Sequence, residues 1–370
     1  MRIAVNATAV GGRYNGVTTA TEALLECLCM GDHEVFVYSS APRFGTMRNV
    51  TLRDTPAQLA FDGGGLTSLK RFWWLQNSFP SMLQKDAVQL LISPSVEGLI
   101  RPALPQVITV HDLIPLRYRE ENPRLYYYYR YILPKILARS RVVLAVSEFT
   151  RQDIVNQYDI EPERVCVAPA GIRQEFFEAA DSVESPAAEP YFLFIGTFAP
   201  RKNLQTIVRA LAKIAKDAPE NLAVVAYPDA WKRQVSRLVA ELGISSRLTY
   251  YSGIGSRELM ALYRGATAMV LVSEYEGFGL PPVEAMALGT PTIVSNSTSL
   301  AEVVGDAAVK VGCKDLNALA SAMKALSTNP LLRQKLREKG LRRAASFNRM
   351  CSIGVLNRAL QSVLLEPTCA

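Results

Sequence analysis

The sequence predicts an α/β protein of two domains, each built around a parallel β-sheet. Short runs rich in β-branched residues alternate with longer segments of helical period, which is the pattern of strands joined by helical crossovers. The chain has 370 residues, too many for one ordinary core and suited to two domains. Hydrophobic residues make up 49% and charged residues 20% of the chain, a composition typical of globular proteins.

The candidate strands form two sets of about six, one in each half of the chain. The first set comprises Ile3–Asn6, Glu34–Tyr38, Leu90–Ser93, Val107–Val110, Val142–Val146 and Val165–Ala168. The second comprises Tyr191–Ile195, Leu222–Ala226, Leu248–Tyr251, Ala268–Val272, Thr292–Ser295 and Ala308–Val309. The clearest helix is expected after Ile195, with Asn203 as its N-cap and an apolar face made by Leu204, Ile207, Val208, Leu211 and Ile214.

The boundary between the domains is expected within Gly171–Pro190. The polar, proline-bearing run from Asp181 to Pro190 is typical of a linker. We therefore expect a first domain over residues 1–172 and a second over 187–352. Ligands of open parallel sheets bind beyond the carboxyl ends of the strands, so the residues that follow each strand are the candidates for chemistry.

The start of the chain and its cysteines predict a cytoplasmic protein. Residues Met1–Asn6 form a strand-like run without the apolar region or the cleavage site of a signal peptide. No stretch of 18 or more uninterrupted apolar residues occurs, so no membrane-spanning helix is expected. The six cysteines are scattered without metal-ligand spacing and are expected to be reduced thiols.

Composition also argues against several classes of function. The chain has two histidines and no Asp-x-Asp motif. It therefore has few of the residues needed for a zinc site, a Ser-His-Asp hydrolase or a metal ion bound to a diphosphate. The net charge is +7, from 41 basic and 34 acidic residues. Because no zinc-finger, RRM or helix-turn-helix signature accompanies this charge, binding to nucleic acid is not expected.

The segment Ser273–Met286 holds the densest set of candidate site residues. Gly277 and Gly279 let the backbone approach a ligand closely, and the helix expected after them would present free N–H groups to an anion. Glu276 precedes the glycines and Glu284 is expected in the first helical turn, so two carboxylates are available to bind hydroxyl groups. The ordinary alternative is a Gly/Pro turn in which Glu284 favours the helix dipole.

Two further loops follow strands of the predicted sheets. Arg201 and Lys202 lie near a helix start after Ile195, where two cations and a helix dipole suit a diphosphate, although such pairs are often only solvated charges. Gly16 ends a glycine-rich loop after the first strand, which could equally be a plain strand-to-helix turn. His111 stands at the carboxyl end of its strand, where a single histidine is more often structural than catalytic.

The Glu276-x7-Glu284 spacing with Gly-Phe-Gly-Leu-Pro inside it resembles the donor-site signature of the family 4 glycosyltransferases. The continuation from Gly289 through Asn296 to Asp306 is also typical of that family, and the resemblance is dense from Tyr191 to Val311. It implies the GT-B fold, in which two Rossmann-like domains with parallel sheets face each other across a cleft. It also implies that a C-terminal helix, over about 355–370 here, crosses back onto the first domain, which is the acceptor side.

The resemblance implies a retaining, metal-independent transfer of a sugar from a nucleotide-diphosphate sugar, with no cofactor. Arg201 and Lys202 would stabilise the departing diphosphate, Glu276 would orient the donor sugar, and Glu284 would hold the ribose. His111 would lie near the reacting sugar, and Gly16 would approach the donor phosphates. The backbone N–H groups expected to contact the phosphates and the sugar are those of Gly277, Phe278, Gly279 and Leu280. The chain departs from the family at Tyr227-Pro228, where glycine is usual, and at Phe347-Asn348-Arg349, which replaces Phe-x-Trp.

The resemblance is to bacterial polysaccharide mannosyltransferases, which favours GDP-mannose as donor and a lipid-linked or oligosaccharide acceptor. UDP- and dTDP-sugars remain alternatives, and so does another GT-B reaction such as nucleotide-sugar epimerisation. The segment Arg117–Arg141 holds seven basic and two acidic residues, with Tyr126–Tyr129 and Tyr131 among them, and Arg71–Trp74 forms a second basic-aromatic run. These runs suggest peripheral docking on the inner face of the plasma membrane. The alternative is an ordinary helix with its aromatic side chains packed inward.

Overall fold

The computed structural model describes residues 1–11, 16–60, 67–169, 171–178, 189–227 and 229–364. It separates into two compact units, Met1–Gly171 together with the chain from Arg349, and Ile172–Asn348. Each unit contains one parallel β-sheet with helices, so the predicted α/β class with two parallel sheets is confirmed. Residues 181–188 of the predicted linker lie outside the described residues.

The sheet of the first unit has seven parallel strands in the order β3-β2-β1-β4-β5-β6-β7. They are β1 Arg2–Asn6, β2 Glu34–Ser39, β3 Val50–Asp54, β4 Leu90–Ser93, β5 Gln106–Val110, β6 Val142–Ala145 and β7 Val165–Val167. Six of them were predicted with ends shifted by one residue at most. The edge strand β3 was missed because its residues are only partly buried, so it lacks the continuous apolar run of a strand covered on both faces.

The sheet of the second unit has six parallel strands in the order β10-β9-β8-β11-β12-β13. They are β8 Tyr191–Ile195, β9 Asn221–Val225, β10 Leu248–Tyr251, β11 Ala268–Leu271, β12 Thr292–Ser295 and β13 Val309–Val311. All six were predicted, and their ends differ from the prediction by two residues at most. In both sheets the strand order reverses beside the first strand, between β1 and β4 and between β8 and β11. Such reversals are the points where open α/β sheets bind ligands.

Helices connect the strands in both units. In the first unit they are α1 Gly16–Cys29, α2 Thr67–Asn77, α3 Phe79–Lys85, α4 Ile114–Arg117, α5 Pro123–Tyr127, α6 Leu133–Ala138 and α7 Glu148–Tyr158. In the second they are α8 Glu175–Glu178, α9 Leu204–Ile214, α10 Lys232–Glu241, α11 Ser256–Gly265, α12 Leu280–Ala287, α13 Thr298–Val304, α14 Leu316–Thr328 and α15 Pro330–Ala345. The apolar face predicted for α9 is buried at every predicted position.

The last helix, α16 Arg349–Leu364, packs on the first unit and begins before the predicted residue 355. Leu356 and Leu360 join the apolar core that includes Leu24 of α1. At the start of α16 the Arg349 guanidinium donates to both carboxylate oxygens of Glu26, at 2.7 and 2.8 Å. An apolar seam and a bidentate ion pair therefore hold this helix against α1.

The basic-aromatic run Arg71–Trp74 on α2 corrects one prediction from the sequence. Arg71 is only 1% exposed, because its Nε lies 2.7 Å from a carboxylate oxygen of Glu97 and its Nη1 donates to the Leu59 carbonyl. The charge of Arg71 is thus compensated inside the unit and is not available at the surface. Trp73, by contrast, is 60% exposed.

Candidate active site

The predicted site residues of the second unit meet at the carboxyl edge of its sheet, where the strand order reverses. The loop after β8 carries Arg201 and Lys202, and the loop after β11 carries Glu276. Because β8 and β11 are hydrogen-bonded neighbours, the two loops start side by side. The fold therefore brings together two motifs that lie more than seventy residues apart in the sequence.

Lys202 and Glu276 form a largely buried ion pair. The Lys202 Nζ lies 2.5 Å from Glu276 Oε1, and the two side chains are 13% and 10% exposed. Burial raises the pKa of Glu276, but the charges of Lys202 and Arg201 outweigh it and hold that pKa below the ordinary value for a glutamate. The carboxylate is therefore ionised at neutral pH, next to two cations.

Backbone and side-chain bonds lock the two loops to each other. The Glu274 N–H donates to the Arg201 carbonyl at 2.7 Å. Asn203 donates from Nδ2 to the carbonyls of Val272 and Cys313, and its Oδ1 accepts from the Thr206 hydroxyl. Asn203 stands at the start of α9 as predicted, but its side chain caps no backbone N–H, because it bridges the loops instead.

The turn from Gly277 to Leu280 has the backbone that the glycines were expected to allow. Gly279 adopts φ +102°, which other residues rarely adopt, and a Cβ there would lie 2.5 Å from Leu300 Cδ2 and force that side chain to shift. The buried Ser299 hydroxyl lies 2.8 and 3.1 Å from the carbonyl oxygens of Glu276 and Phe278 and shares its one proton between them. This contact supports the turn from the protein side.

The amide donors at the start of α12 are restricted by two prolines. Pro281 and Pro282 occupy the first turn and carry no N–H. The donors that this helix start can offer to an anion therefore come from residues before Pro281, within the segment predicted from the sequence to contact a ligand.

Glu284 lies in the second turn of α12, which corrects the prediction that it belongs to the first. The helix begins at Leu280, one residue after the left-handed Gly279, so its first turn holds no acidic residue. Since the helix dipole acts mainly within the first turn, it does not account for Glu284. Instead Glu284 Oε2 accepts from the Tyr263 hydroxyl at 2.7 Å.

The surroundings of Glu284 include residues that the sequence did not single out. Burial raises the pKa of Glu284 most, while the Tyr263 hydrogen bond and the Arg173 charge oppose that rise. Tyr263 is fully buried on α11, and burial together with the Glu284 carboxylate holds the pKa of Tyr263 far above its ordinary value. The phenol therefore stays protonated and orients one oxygen of Glu284. A tyrosine on the buried face of α11 is the only signal that the sequence offered for this contact.

Phe278 and Phe347 form a second contact that the sequence did not reveal. Their rings pack edge to face with centroids 5.5 Å apart, and the Arg343 guanidinium lies over the Phe347 ring at 4.9 Å. Phe347 belongs to the Phe-Asn-Arg segment that departs from the family pattern. Its aromatic ring supports the turn that carries Phe278.

His111 and Gly16 lie in the first unit. His111 follows β5, and its Nε2 lies 2.8 Å from the Pro94 carbonyl, so that nitrogen carries the proton and Nδ1 is the acceptor in the neutral ring. Asp112 Oδ1 accepts from the Ile114 N–H, two residues further on, at the start of α4. Gly16 begins α1, while residues 12–15 of its loop lie outside the described residues.

Two kinds of feature are absent from the described residues. No group of three or more histidine, cysteine, aspartate or glutamate side chains among them is arranged to hold a metal ion. Within the same ranges, no helix combines the length and the apolar character needed to cross a bilayer.

Comparison of the chain with known proteins gives consistent family matches. Residues 14–176 match the model described as Glycosyltransferase Family 4, and residues 175–343 match the model described as Glycosyl transferases group 1. The O-antigen chain mannosyltransferase RfbU of Salmonella typhimurium is 31% identical over 61% of this chain and 62% of its own length. The O-antigen chain mannosyltransferase B of Escherichia coli is 28% identical over 65% of this chain and 66% of its own length. The matched regions thus span less than two thirds of these relatives.

Solved structures agree in fold. Sucrose-phosphate synthase from Thermosynechococcus elongatus superposes with a TM-score of 0.77 at 21% identity, covering 99% of both chains. A glycosyltransferase from Rickettsia africae superposes with a TM-score of 0.72 at 16% identity, again covering 99% of both. The two parallel sheets, the turn between Glu276 and Glu284, and the two family models that together span residues 14–343 lead to one conclusion: the chain belongs to the family 4 glycosyltransferases of the GT-B fold.

Proposed function

We propose that the protein is a retaining glycosyltransferase that moves a sugar, with mannose from GDP-mannose favoured, onto a hydroxyl group of a lipid-linked or oligosaccharide acceptor in surface polysaccharide synthesis. The observation that carries the proposal is the buried Lys202–Glu276 pair at the point where the strand order of the second sheet reverses. That position places cations and a carboxylate where an open α/β sheet binds its ligand.

The proposed roles follow from the charges at this edge. Arg201 and Lys202 supply positive charge to the diphosphate as its bond to the sugar breaks, and preorganised charges of this kind are often the largest catalytic contribution. Glu276, ionised and fixed by Lys202, accepts hydrogen bonds from the hydroxyls of the donor sugar. The amides of Gly277–Leu280 bind the donor phosphates or sugar.

Glu284 is proposed to bind the ribose of the donor. Tyr263 occupies its Oε2, which leaves Oε1 to accept from a ribose hydroxyl. In the first unit, the Nδ1 of His111 can accept a hydrogen bond from a sugar hydroxyl, since Nε2 is bound to the Pro94 carbonyl. Gly16, at the start of α1, remains the proposed point of close approach to the donor phosphates.

The donor is tested by the melting temperature of the full chain in the presence of GDP-mannose, UDP-glucose and a dTDP-sugar. A ligand that binds the native state at a hundred times its Kd adds about 2.7 kcal/mol to the free energy of unfolding. We expect the largest rise with GDP-mannose, because the relatives RfbU and mannosyltransferase B are named as mannosyltransferases. If only UDP- or dTDP-sugars raised the melting temperature, the donor would be one of these and not GDP-mannose. If none of the sugars raised it, nucleotide-sugar binding would be refuted. Loss of the donor without any acceptor, into an isomeric sugar, would indicate an epimerase.

We expect that EDTA leaves the transfer reaction unchanged. Arg201 and Lys202 provide the positive charge that a divalent ion supplies in metal-dependent transferases. The measurement is the initial rate of nucleoside diphosphate release with EDTA, and again after addition of Mg²⁺ or Mn²⁺. If EDTA abolished activity and either metal restored it, the metal-independent mechanism would be wrong.

A lipid-linked acceptor would place the enzyme at the inner membrane surface, and the first unit carries an exposed basic-aromatic surface. We define this surface by the exposed side chains of Trp73, Tyr127, Tyr131, Arg124, Arg130 and Lys135. Its two parts adjoin, because the rings of Phe72 on α2 and Tyr128 lie with centroids 6.2 Å apart.

The tyrosine run divides between the surface and the core. Tyr127 and Tyr131 are exposed and stack on each other with centroids 6.4 Å apart. Tyr129 is buried in the core of the first unit, and the Tyr128 hydroxyl donates to the Val96 carbonyl. Tyr128 and Tyr129 therefore pack inward, as the ordinary interpretation expects, while Tyr127 and Tyr131 are exposed, as contact with a headgroup layer requires.

We expect the full chain to bind anionic vesicles at low salt, and the Arg124→Glu, Arg130→Glu, Lys135→Glu triple variant to lose that binding. Basic residues near an anionic surface each contribute about 1 kcal/mol, so the loss of three attractions should weaken partitioning by roughly a hundredfold. Co-sedimentation with vesicles of phosphatidylcholine, with and without phosphatidylglycerol, measures the effect.

A matched control reverses the same number of charges on the second unit, at Lys216, Arg233 and Arg237, all of which are exposed. This control should bind as the wild type does. Equal binding to neutral and anionic vesicles, or equal losses in both triple variants, would show that the basic-aromatic surface has no specific role.

A further inference from the structure

A cavity opens at the amino-terminal edge of the second sheet, opposite the edge that carries Glu276. It is lined by the residues that lead into β8, β11 and β12 and by the first two turns of α15. Its volume is about 480 Å³, within the range of roughly 300–1,000 Å³ that small-molecule pockets occupy. The cavity can therefore hold a small organic ligand, at a distance from the proposed donor site.

Three arginines line this cavity. Arg333 and Arg337 stand one helical turn apart on α15, and Arg264 lies in the last turn of α11. The Arg333 Nη1 is fixed by the Leu326 and Ser327 carbonyls, at 2.6 and 2.9 Å. The α15 N-terminus adds a partial positive charge at the same place, since this helix of 16 residues begins at the lining residue Pro330.

The backbone at Gly289 leaves space for the guanidinium group of Arg337. Gly289 adopts φ +74°, and a Cβ on it would lie 2.9 Å from the Cζ of Arg337. A side chain at position 289 would thus push the Arg337 guanidinium away from the cavity wall. Among the described residues, Arg337 has neither a hydrogen bond nor an ion pair, so its donors are available to a ligand.

The lining carries an excess of positive charge. Glu220 is the one carboxylate among the described lining residues; it is 3% exposed and accepts from the hydroxyls of Ser327 and Thr267, at 2.7 and 3.3 Å. None of the ion pairs among the described residues joins Glu220 to an arginine of the cavity. Among the described lining residues, three arginines therefore stand against one glutamate.

We propose that this cavity is a second ligand site, which binds a phosphorylated small molecule. Planar guanidinium groups match phosphate oxygens in bidentate geometry, and three arginines line this cavity beside a helix N-terminus. Pro190, Pro219 and Pro291 provide apolar wall for the organic part of the ligand. Because the site lies on the other edge of the sheet, its ligand does not compete with a donor at Glu276. The proposal does not depend on the reaction proposed above.

The test uses pyrophosphate as the probe, the full chain, and the Arg337→Glu and Lys335→Glu variants. Both variants reverse one exposed charge on α15, but Lys335 does not line the cavity. The proposed donor site can also take pyrophosphate, and the difference between the two variants removes that contribution. We expect the Arg337→Glu variant to show a smaller rise of the melting temperature with pyrophosphate than wild type, and the Lys335→Glu variant to match wild type.

Crystals soaked in tungstate locate the site directly. Anomalous density from tungsten is expected between Arg264, Arg333 and Arg337 in the wild type and in the Lys335→Glu variant, and not in the Arg337→Glu variant. The melting temperature without ligand shows whether each variant folds, and Arg337→Gln replaces the charge reversal where it does not. Equal responses to pyrophosphate in all three proteins, or no tungsten density in the cavity, would overturn the proposal.

Discussion

The Glu276→Gln variant is expected to lower kcat by roughly tenfold to a hundredfold while changing the Kd of the donor far less. The reason is that Glu276 is proposed to bind the sugar rather than the nucleotide. A hydrogen bond that strengthens in the transition state contributes about 1–3 kcal/mol, which corresponds to that range of rates. Steady-state kinetics together with direct donor binding separate the two effects.

Glutamine is a better test here than alanine because of the ion pair with Lys202. The amide keeps the shape of the side chain and still offers an oxygen to the Lys202 ammonium, 2.5 Å away in the native pair. Alanine would leave a largely buried lysine without its carboxylate, and removing one partner of a buried pair costs on the order of 3–5 kcal/mol. Part of any loss of turnover in the alanine variant would then result from lower stability of the fold.

The matched control for this prediction is Glu274→Gln, two residues earlier in the same loop. Glu274 is 31% exposed and pairs with the exposed Lys314 at 3.3 Å, so the change removes the same charge outside the Lys202 pair. Turnover near that of the wild type is expected for this control. If the Glu276→Gln and Glu274→Gln variants had equal kcat values, the role of Glu276 would be refuted.

The strands and the Glu276 loop could be predicted because the sequence features that determine them are local. Strands covered on both faces, such as Leu90–Ser93, are continuous apolar runs whatever they pack against. The glycines at 277 and 279 predict a turn. Because ligands of parallel sheets bind beyond the carboxyl ends of the strands, the loops after β8 and β11 are candidate binding sites. Both sets of observations need only a short window of sequence.

The contacts of Arg71 and Tyr263 could not be predicted because their partners are remote. Arg71 stands in an aromatic, basic run that resembles a surface patch, and only the fold brings it to Glu97 and to the Leu59 carbonyl. Tyr263 looks like an ordinary core residue of α11 until the sheet places Glu284 beside its hydroxyl. In both cases tertiary structure decides whether a polar side chain is exposed or paired.

Loss of Lys202 is expected to reduce turnover and also to change the pH dependence of the reaction. The Lys202→Gln variant removes one of the two cations proposed to stabilise the diphosphate, and losing one preorganised donor typically lowers kcat by about a hundredfold to a thousandfold. It also removes the larger of the two charge effects that lower the pKa of Glu276, while the burial that raises this pKa remains.

The direction of the pH effect follows from that balance. In the native protein the pKa of Glu276 is held below its ordinary value, so the ionised form is lost only at low pH. Without Lys202 the pKa of Glu276 rises, and the reactive ionised form is lost at higher pH. The acid limb of the kcat/KM profile, which reports the free enzyme, should therefore move to higher pH in the Lys202→Gln variant.

The Lys202→Arg and Lys314→Gln variants distinguish this effect from a general loss of charge. Arginine at 202 restores the cation beside Glu276, so the acid limb should return to its native position even where kcat does not recover fully. Lys314 is 79% exposed and pairs with Glu274, so its loss should leave the profile unchanged. An acid limb at the same pH in the Lys202→Gln variant and the wild type would show that ionisation of Glu276 does not control the rate, and the proposed division of roles between the two residues would have to be abandoned.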